Sequence, residues 1–420
     1  MSTKRAFLAA TRFGLGVSPG QLESIAKDPR RWLLRQMTAA RGPEGPSSTE
    51  LLETMRSDRE DRDKVGRWSR EMWRDAAQAS LVWAATTNAP FAERMVRFYS
   101  NLLTVSVQRR EVMALAGPFE QEAVRPNIWG RYEDLLLAST RHPAMLMYLD
   151  NFRSTGPDSR RGQRQGHGLN ENLARELLEL HTLGVNGGYD QDDVEALAAL
   201  LTGWSIEAES GFHFAVARHQ PGDKRLLGRR FPEGEQGCVE ALRMLARHPS
   251  TARNVCTRLA RHFLQDEPSP ADIDLLVRAW GDGELSATAR ALVELDSCWK
   301  PFHKLRSPQE LIIATARALP DISQSLMVHS ATSLGQARWD APSPKGWSDL
   351  NEDWAGPDAV LARVQWCQRS AARARSQDPL EWARSLFGPL LSGKLARSLE
   401  DVDAHTGMAL VLASPEFQRR

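Results

Sequence analysis

The sequence predicts an all-α protein: one large multi-helix domain over residues 1–420 with one small β-hairpin insertion. Three observations point there. Apolar residues recur at helical spacing through most of the chain. Strand-like alternation occurs in one short stretch, where Phe212, Phe214 and Val216 alternate with His213, Ala215 and Ala217. No internal repeat divides the chain, and 41% hydrophobic residues among 420 suffice for a sizeable core.

In chain order, Phe7, Leu8 and Phe13 lead into a turn at Gly14 and Gly16, and Ser18-Pro19 opens a helix through Leu22 and Ile25. Trp32, Leu33, Leu34 and Met37 suggest another helix, and residues 41–49 form a Pro/Gly/Ser loop. From Leu51 to about Arg110 the pattern is helical and heavily charged. Its run Asp58–Lys64 reads as a solvated face, and Trp68, Met72, Trp73 and Ala76 mark the apolar side. Residues 153–168 carry no aliphatic or aromatic side chain after Phe152 and cannot bury apolar area, so a flexible Arg/Gly-rich loop is expected. Its arginines (Arg153, Arg160, Arg161 and Arg164, with Arg175 just beyond) would suit an anion-binding lid or, more simply, a solvated loop.

The β-hairpin is placed at 211–231, with Gly222-Asp223 as turn and Arg225–Phe231 as returning strand. His213 and His219 flank that turn as a candidate metal pair, and Lys224 and Arg225 could hold an anion. Residues 340–357 lack periodicity and read as a long ordered loop held by Trp339, Trp347 and Trp354.

Charge is balanced, with 54 basic and 53 acidic residues. That evenness argues against a nucleic-acid or membrane-surface binder. The four cysteines are widely spaced and read as buried thiols. The N-terminal apolar run stops at Ala10, too short for a signal peptide, and no stretch suits a membrane span, so a cytoplasmic location is expected. Serine-hydrolase elbows, phosphate-binding loops and dinucleotide fingerprints are missing.

The most informative segment runs from Asn170 to Gly184. Leu173, Leu177 and Leu180 share one helical face, and at about 100° per residue His181 joins it. Glu171, Asn172, Arg175, Glu176, Glu179 and Thr182 lie opposite. Two readings are open. In one, Arg175 pairs with Glu171 and Glu179, and His181 is a core histidine bonded to backbone. In the other, His142, Asn172, Arg175, Glu176, Glu179 and His181 form a catalytic site, with a divalent metal as cofactor in a hydrolase or transferase. The spacing matches neither the di-iron Glu-x-x-His pattern nor H-E-x-x-H. Farther on, Asp190, Asp192 and Asp193 suit the N-terminus of a helix with Val194, Leu197, Ala198 and Leu201 on its buried side.

The stretch Asn170–Val185, then Gly187-Gly188-Tyr189, then an acidic helix ending Leu201-Thr-Gly-Trp204, resembles the centre of the bacterial DUF1800 family. Phe13-Gly-Leu-Gly16, His142–Asn151, Gly228, His248–Arg253, Leu259–Phe263, Lys304–Pro308, Pro344–Trp347 and Ser414–Phe417 are similar to its other motifs, so the resemblance spans nearly the whole chain. It implies no reaction. It implies an accessory protein working with a partner of the DUF1501 type, in envelope or polysaccharide metabolism. Ser100 and Leu102 stand where the family often has histidines, and Gln220 where it tends to aspartate; only Asn101 of the first polar set remains.

Overall fold

In a computed structural model the described residues are 2–38, 40–57, 61–165, 168–300 and 304–420. They form an all-α assembly with two small two-stranded sheets. The first part of the charge run, 58–60, lies outside these residues, as do 166–167 in the Arg/Gly-rich segment.

The N-terminal helix α1 (Ser2–Leu8) continues into a wider π-helical turn at Ala9–Phe13 and is buried from Ala6 onward. Next come α2 (Arg62–Thr86) and α3 (Pro90–Leu102), the latter started by proline at its first turn. Two linked helices follow, α4 (Tyr132–Arg141) and α5 (Pro143–Tyr148), then α6 (Asn172–Glu176) and α7 (Gln191–Leu201). After the sheets the chain returns to helix in α8 (Glu235–Arg247), α9 (Pro249–Phe263), α10 (Pro270–Trp280), α11 (Pro308–Ala318), α12 (Met327–Ser333), α13 (Pro357–Arg373) and α14 (Ala404–Ala413).

At the centre lies α11, buried at every one of its 11 residues. Apolar side chains all round make that possible, yet it also carries Gln309, Glu310, Thr315 and Arg317. Arg317 resolves its own burial by donating to the carbonyls of Ala84, Ala85 and Thr87 at the end of α2 and to that of Gly16. The carbonyl end of a helix favours a cation. A capping box from Ser307 and Glu310 starts the helix.

The single hairpin expected across 211–231 is instead two local ones. Strand β1 (Trp204–Glu207) pairs antiparallel with β2 (Gly211–Phe214), and β3 (Lys224–Leu226) with β4 (Arg229–Phe231). The Phe212/Phe214 alternation is real, but its partner lies upstream. A 3-10 turn at Val216–Arg218 ends the strand, and His219 is tied down by the Thr202 carbonyl, 2.9 Å from Nδ1. The β3–β4 turn has positive φ at Leu227 and Gly228, as a type I′ turn requires. The strained Leu227 is held by its N–H donating to Asp193 Oδ1 at 2.6 Å.

The Arg/Gly-rich segment is pinned where described. Ser154, Thr155, Gly156 and Ser159 are buried, and Gly156 and Arg161 donate backbone hydrogen bonds to Arg218 and Ala217. Polar backbone contacts replace the missing apolar anchors. The loop before α13 is irregular: Trp339 is buried, and Trp347 and Trp354 sit 6.0 Å apart. The four cysteines are buried and free. No helix among the described residues is long and apolar enough to cross a membrane.

Candidate functional site: a buried cation-rich cleft

The residues singled out by the central motif do not converge. His142 is the N-cap of α5: its Nδ1 accepts from Ala144 N–H at 3.1 Å, and its Nε2 lies 3.1 Å from Glu122. His248 caps α9 in the same way through Ser250, so the two His-Pro pairs are one capping device. Arg175 pairs with Glu171 at 2.8 Å and reaches Gln191, and no bridge to Glu179 forms. Asn172 is exposed at the start of α6. Glu176 and Glu179 are half-buried and make no salt bridge among the described residues; burial, then the like charge of Glu179, raises the Glu176 carboxyl above its ordinary range. Glu176 acts on Tyr148, at the far end of α5 from His142, a separation of about 9 Å along a helix of six residues.

His181 is in the core as expected, but its Nε2 has no partner among the described residues. Leu177–His181 is a π-helical turn, so the steady 100° step breaks down there. Burial drives the imidazole down to about 3, leaving it neutral. Among the described residues no three His, Cys, Asp or Glu side chains gather as metal ligands. His219 is buried against Thr202 while His213 is exposed, so they form no pair.

A different set of residues does converge. Between α3, α9, the start of α11 and the Trp-rich loop lies a cavity of about 80 Å³, enough for several waters. Arg94, Arg97, Lys304, Arg338 and Arg420 line it, with Glu310, Asp349 and His262. Asn101 of α3 fastens the loop over it, donating to the Trp347 carbonyl at 2.8 Å and accepting from the Trp347 N–H at 2.7 Å. Gly346 must be glycine there, because its φ is +81° and any side chain would collide with Asn101.

Glu310 is the hub. One oxygen accepts from Arg94; the other accepts from Arg420 Nε at 3.1 Å and Ser307 N–H at 2.9 Å. Burial alone would raise its carboxyl; Arg420 and Arg94 override that and hold it well below the usual range. Behind the wall, Arg97 reaches Glu93 at 3.2 Å, Arg338 grips Glu120, and Lys304 pairs with Asp266 at 2.5 Å. Arg125 bridges Glu93 and Glu120. Burial lowers Arg94 to about 9 against the pull of Glu310, and lowers Arg97 and Arg306 to about 10.

His262 and Asp349 form a half-buried pair, Nδ1 to Oδ1 2.6 Å. The carboxylate orients the ring and turns Nε2 toward Arg94 Nη1, 3.4 Å away. Burial lowers the imidazole despite Asp349, so it stays neutral near pH 7 with Nε2 as its basic atom. The other guanidinium hydrogens of Arg94 go to Gly14, Thr11 and Glu310, so a neutral His262, oriented by its carboxylate, can take a proton from a bound acid once Nε2 is released from Arg94.

Charge does not cancel. Seven cationic side chains (Arg94, Arg97, Arg125, Lys304, Arg306, Arg338, Arg420) meet five carboxylates (Glu93, Glu120, Asp266, Glu310, Asp349). Among the described residues Arg420 Nη1, on a residue that lines the cleft, and Arg306 Nη1 and Arg125 Nε, on residues behind it, are buried with no hydrogen-bond partner. Sequence reading missed these groups because, although Arg94, Arg97 and Asn101 share one face of α3, the groups they meet come from segments far away in sequence. A signal was present all the same: Phe13–Gly16, Leu259–Phe263, Lys304–Pro308 and Pro344–Trp347, short motifs far apart in sequence, each supply part of this one cleft.

A family model described as a protein of unknown function, DUF1800, matches residues 8–419. No curated protein and no solved structure matches the chain.

Proposed function

Because this chain belongs to the DUF1800 family, which prescribes no activity, we propose a function from the cleft itself: it binds a small oxyanion or carboxylate-bearing molecule, with His262 as the proton acceptor oriented by Asp349. One observation carries the reading. The network holds seven cationic side chains against five carboxylates, and Arg420 Nη1, on a residue that lines the cleft, is buried without an acceptor among the described residues. An unpaired buried charge is costly, and an anion relieves both deficits at once.

The test is thermal stability in sulfate, phosphate and acetate against chloride at matched ionic strength. A ligand at one hundred times its Kd adds about 2.7 kcal/mol, or about 3 °C for a chain this long. Wild type should gain that shift from at least one oxyanion, and Arg420→Met should lose it. Equal shifts in both proteins, or none in either, would refute the reading.

A second reading has its own support. Val360, Leu361 and Val364 on α13 are exposed, Leu361 to 57%, and Leu410 is exposed on α14, the helix packed against α13. Such an apolar strip suits an accessory protein that docks on a partner of the DUF1501 type in envelope or polysaccharide metabolism. Leu361→Lys should then abolish co-purification with that partner while leaving the fold intact; unchanged co-purification would remove the strip as the contact.

A further inference from the structure

The buried helix α11 has two sides. Gln309, Glu310 and Ile313 face the cation-rich cleft. Ile312, Thr315 and Ala316 line a second, larger cavity of about 630 Å³ between α11, α12 and α13. That volume lies within the range of small-molecule sites, about 300–1,000 Å³.

Its chemistry is ordered from wall to rim. The walls are apolar, from Ile312, Ala316, Met327 and Trp366. On the rim stand Arg369 and Arg373, one turn apart on the face of α13 that carries Trp366. Both are exposed, and no salt bridge ties either to a carboxylate among the described residues. Asp321 lies on the same rim, so the two arginines and one aspartate leave a single positive charge among these three side chains.

We infer that this cavity binds an apolar molecule bearing one carboxylate, its hydrocarbon body against Ile312, Met327 and Trp366 and its carboxylate at Arg369 and Arg373. The residual single charge selects a monoanion over a phosphate monoester. The apolar walls select a body of hydrocarbon over a sugar. This site is separate from the cleft, with α11 as the wall between them, and it stands whether or not the cleft binds an anion.

The experiment is calorimetric titration of the whole chain with decanoate and 2-naphthoate, with decanol as the neutral control. Expected is one site per chain for at least one of the carboxylates and binding at least tenfold weaker for decanol. Arg369→Gln with Arg373→Gln should bring the carboxylate down to the decanol level. Ser330→Trp, at a half-buried position on α12, should fill the space and abolish binding. If that variant misfolds by circular dichroism, the surface arginine pair still decides. Arg420→Met and saturating sulfate should both leave decanoate binding unchanged. The inference is overturned if neither carboxylate binds, if decanol binds equally well, if the arginine pair makes no difference, or if sulfate displaces decanoate, which would move the ligand to the cleft.

Discussion

Glu310→Gln is the sharpest perturbation of the buried network. The change keeps the size of the side chain and removes one charge. In its place an amide must face Arg94 and Arg420, and it can no longer serve as the shared counterion of both. Glu310 is about nine-tenths buried, so solvent does not compensate. Removing one partner of a buried ion pair costs about 3–5 kcal/mol, chiefly because the remaining charge is stranded. At about 2.1 cal/mol/K per residue, unfolding 420 residues carries an entropy of about 0.9 kcal/mol/K, and the expected fall in Tm is about 3–6 °C. Differential scanning calorimetry reads it directly. Arg94→Met serves as the partner variant. The double variant should cost less than the sum of the singles by about 1–3 kcal/mol, since either one alone breaks the same contact. Sulfate should restore part of the Glu310→Gln loss, because it supplies a countercharge where the carboxylate stood. A Tm within 1 °C of wild type for Glu310→Gln, or strict additivity with Arg94→Met, would refute the role of Glu310 as hub.

Other consequences are simpler to state. His181 is buried with a lowered basicity, so the unfolded chain binds a proton that the fold refuses; stability is complete above about pH 6.5 and falls as pH drops toward 3. Between pH 6.5 and 5 the loss from this group is about 2 kcal/mol, and His181→Leu should flatten the Tm-versus-pH curve over that window, whereas an unchanged slope would contradict it. Glu176 has the opposite sign: its raised carboxyl makes the ionised form unfavourable in the fold, so stability declines as pH rises through the carboxylate range. Glu176→Gln should therefore hold or raise Tm at pH 7 and match wild type at low pH; a clear loss at pH 7 would show that the carboxylate has a partner, and metal analysis of both proteins would identify a cation as that partner. His142→Asn should keep the cap of α5 and cost little, while His142→Leu should cost about 1 kcal/mol or more by chemical denaturation, as loss of an N-cap does. Equal effects would refute capping as its task.

Helices were legible because their cause is local. The stripe Val194, Leu197, Ala198 and Leu201 and the Asp190 cap are set by neighbours three and four residues away, and both appear as read: Asp193 N–H donates to Asp190 Oδ1 at 3.0 Å. The hairpins were half legible. Alternation at Phe212 and Phe214 marks a strand, but alternation is silent about which strand it meets, and the four residues Trp204–Glu207 are too short to show a period. His181 shows a subtler failure. Periodicity placed it in the core correctly, but it ends a π-helical turn that begins at Leu177, and its outer nitrogen lacks the backbone partner expected of it among the described residues.

The cleft was illegible for a stronger reason. Its charges come from positions as distant as Arg94, His262, Glu310, Asp349 and Arg420, and no periodicity links residues that meet only after every helix has packed. What could be read was a conflict. Pro308–Ala318 is apolar enough to be a central helix, yet it contains Glu310 and Arg317. A buried helix can carry charges only where the rest of the fold delivers their partners. Arg317 is answered by three carbonyls at the end of α2, a sufficient structural account. Glu310 is answered by two arginines, one more positive charge than it needs, and the excess opens into a cavity. Of the two charges on this helix, one is closed within the fold and the other is left facing a space that only an anion would balance, and that asymmetry is the physical reason to look for function on the side of α11 where Glu310 stands.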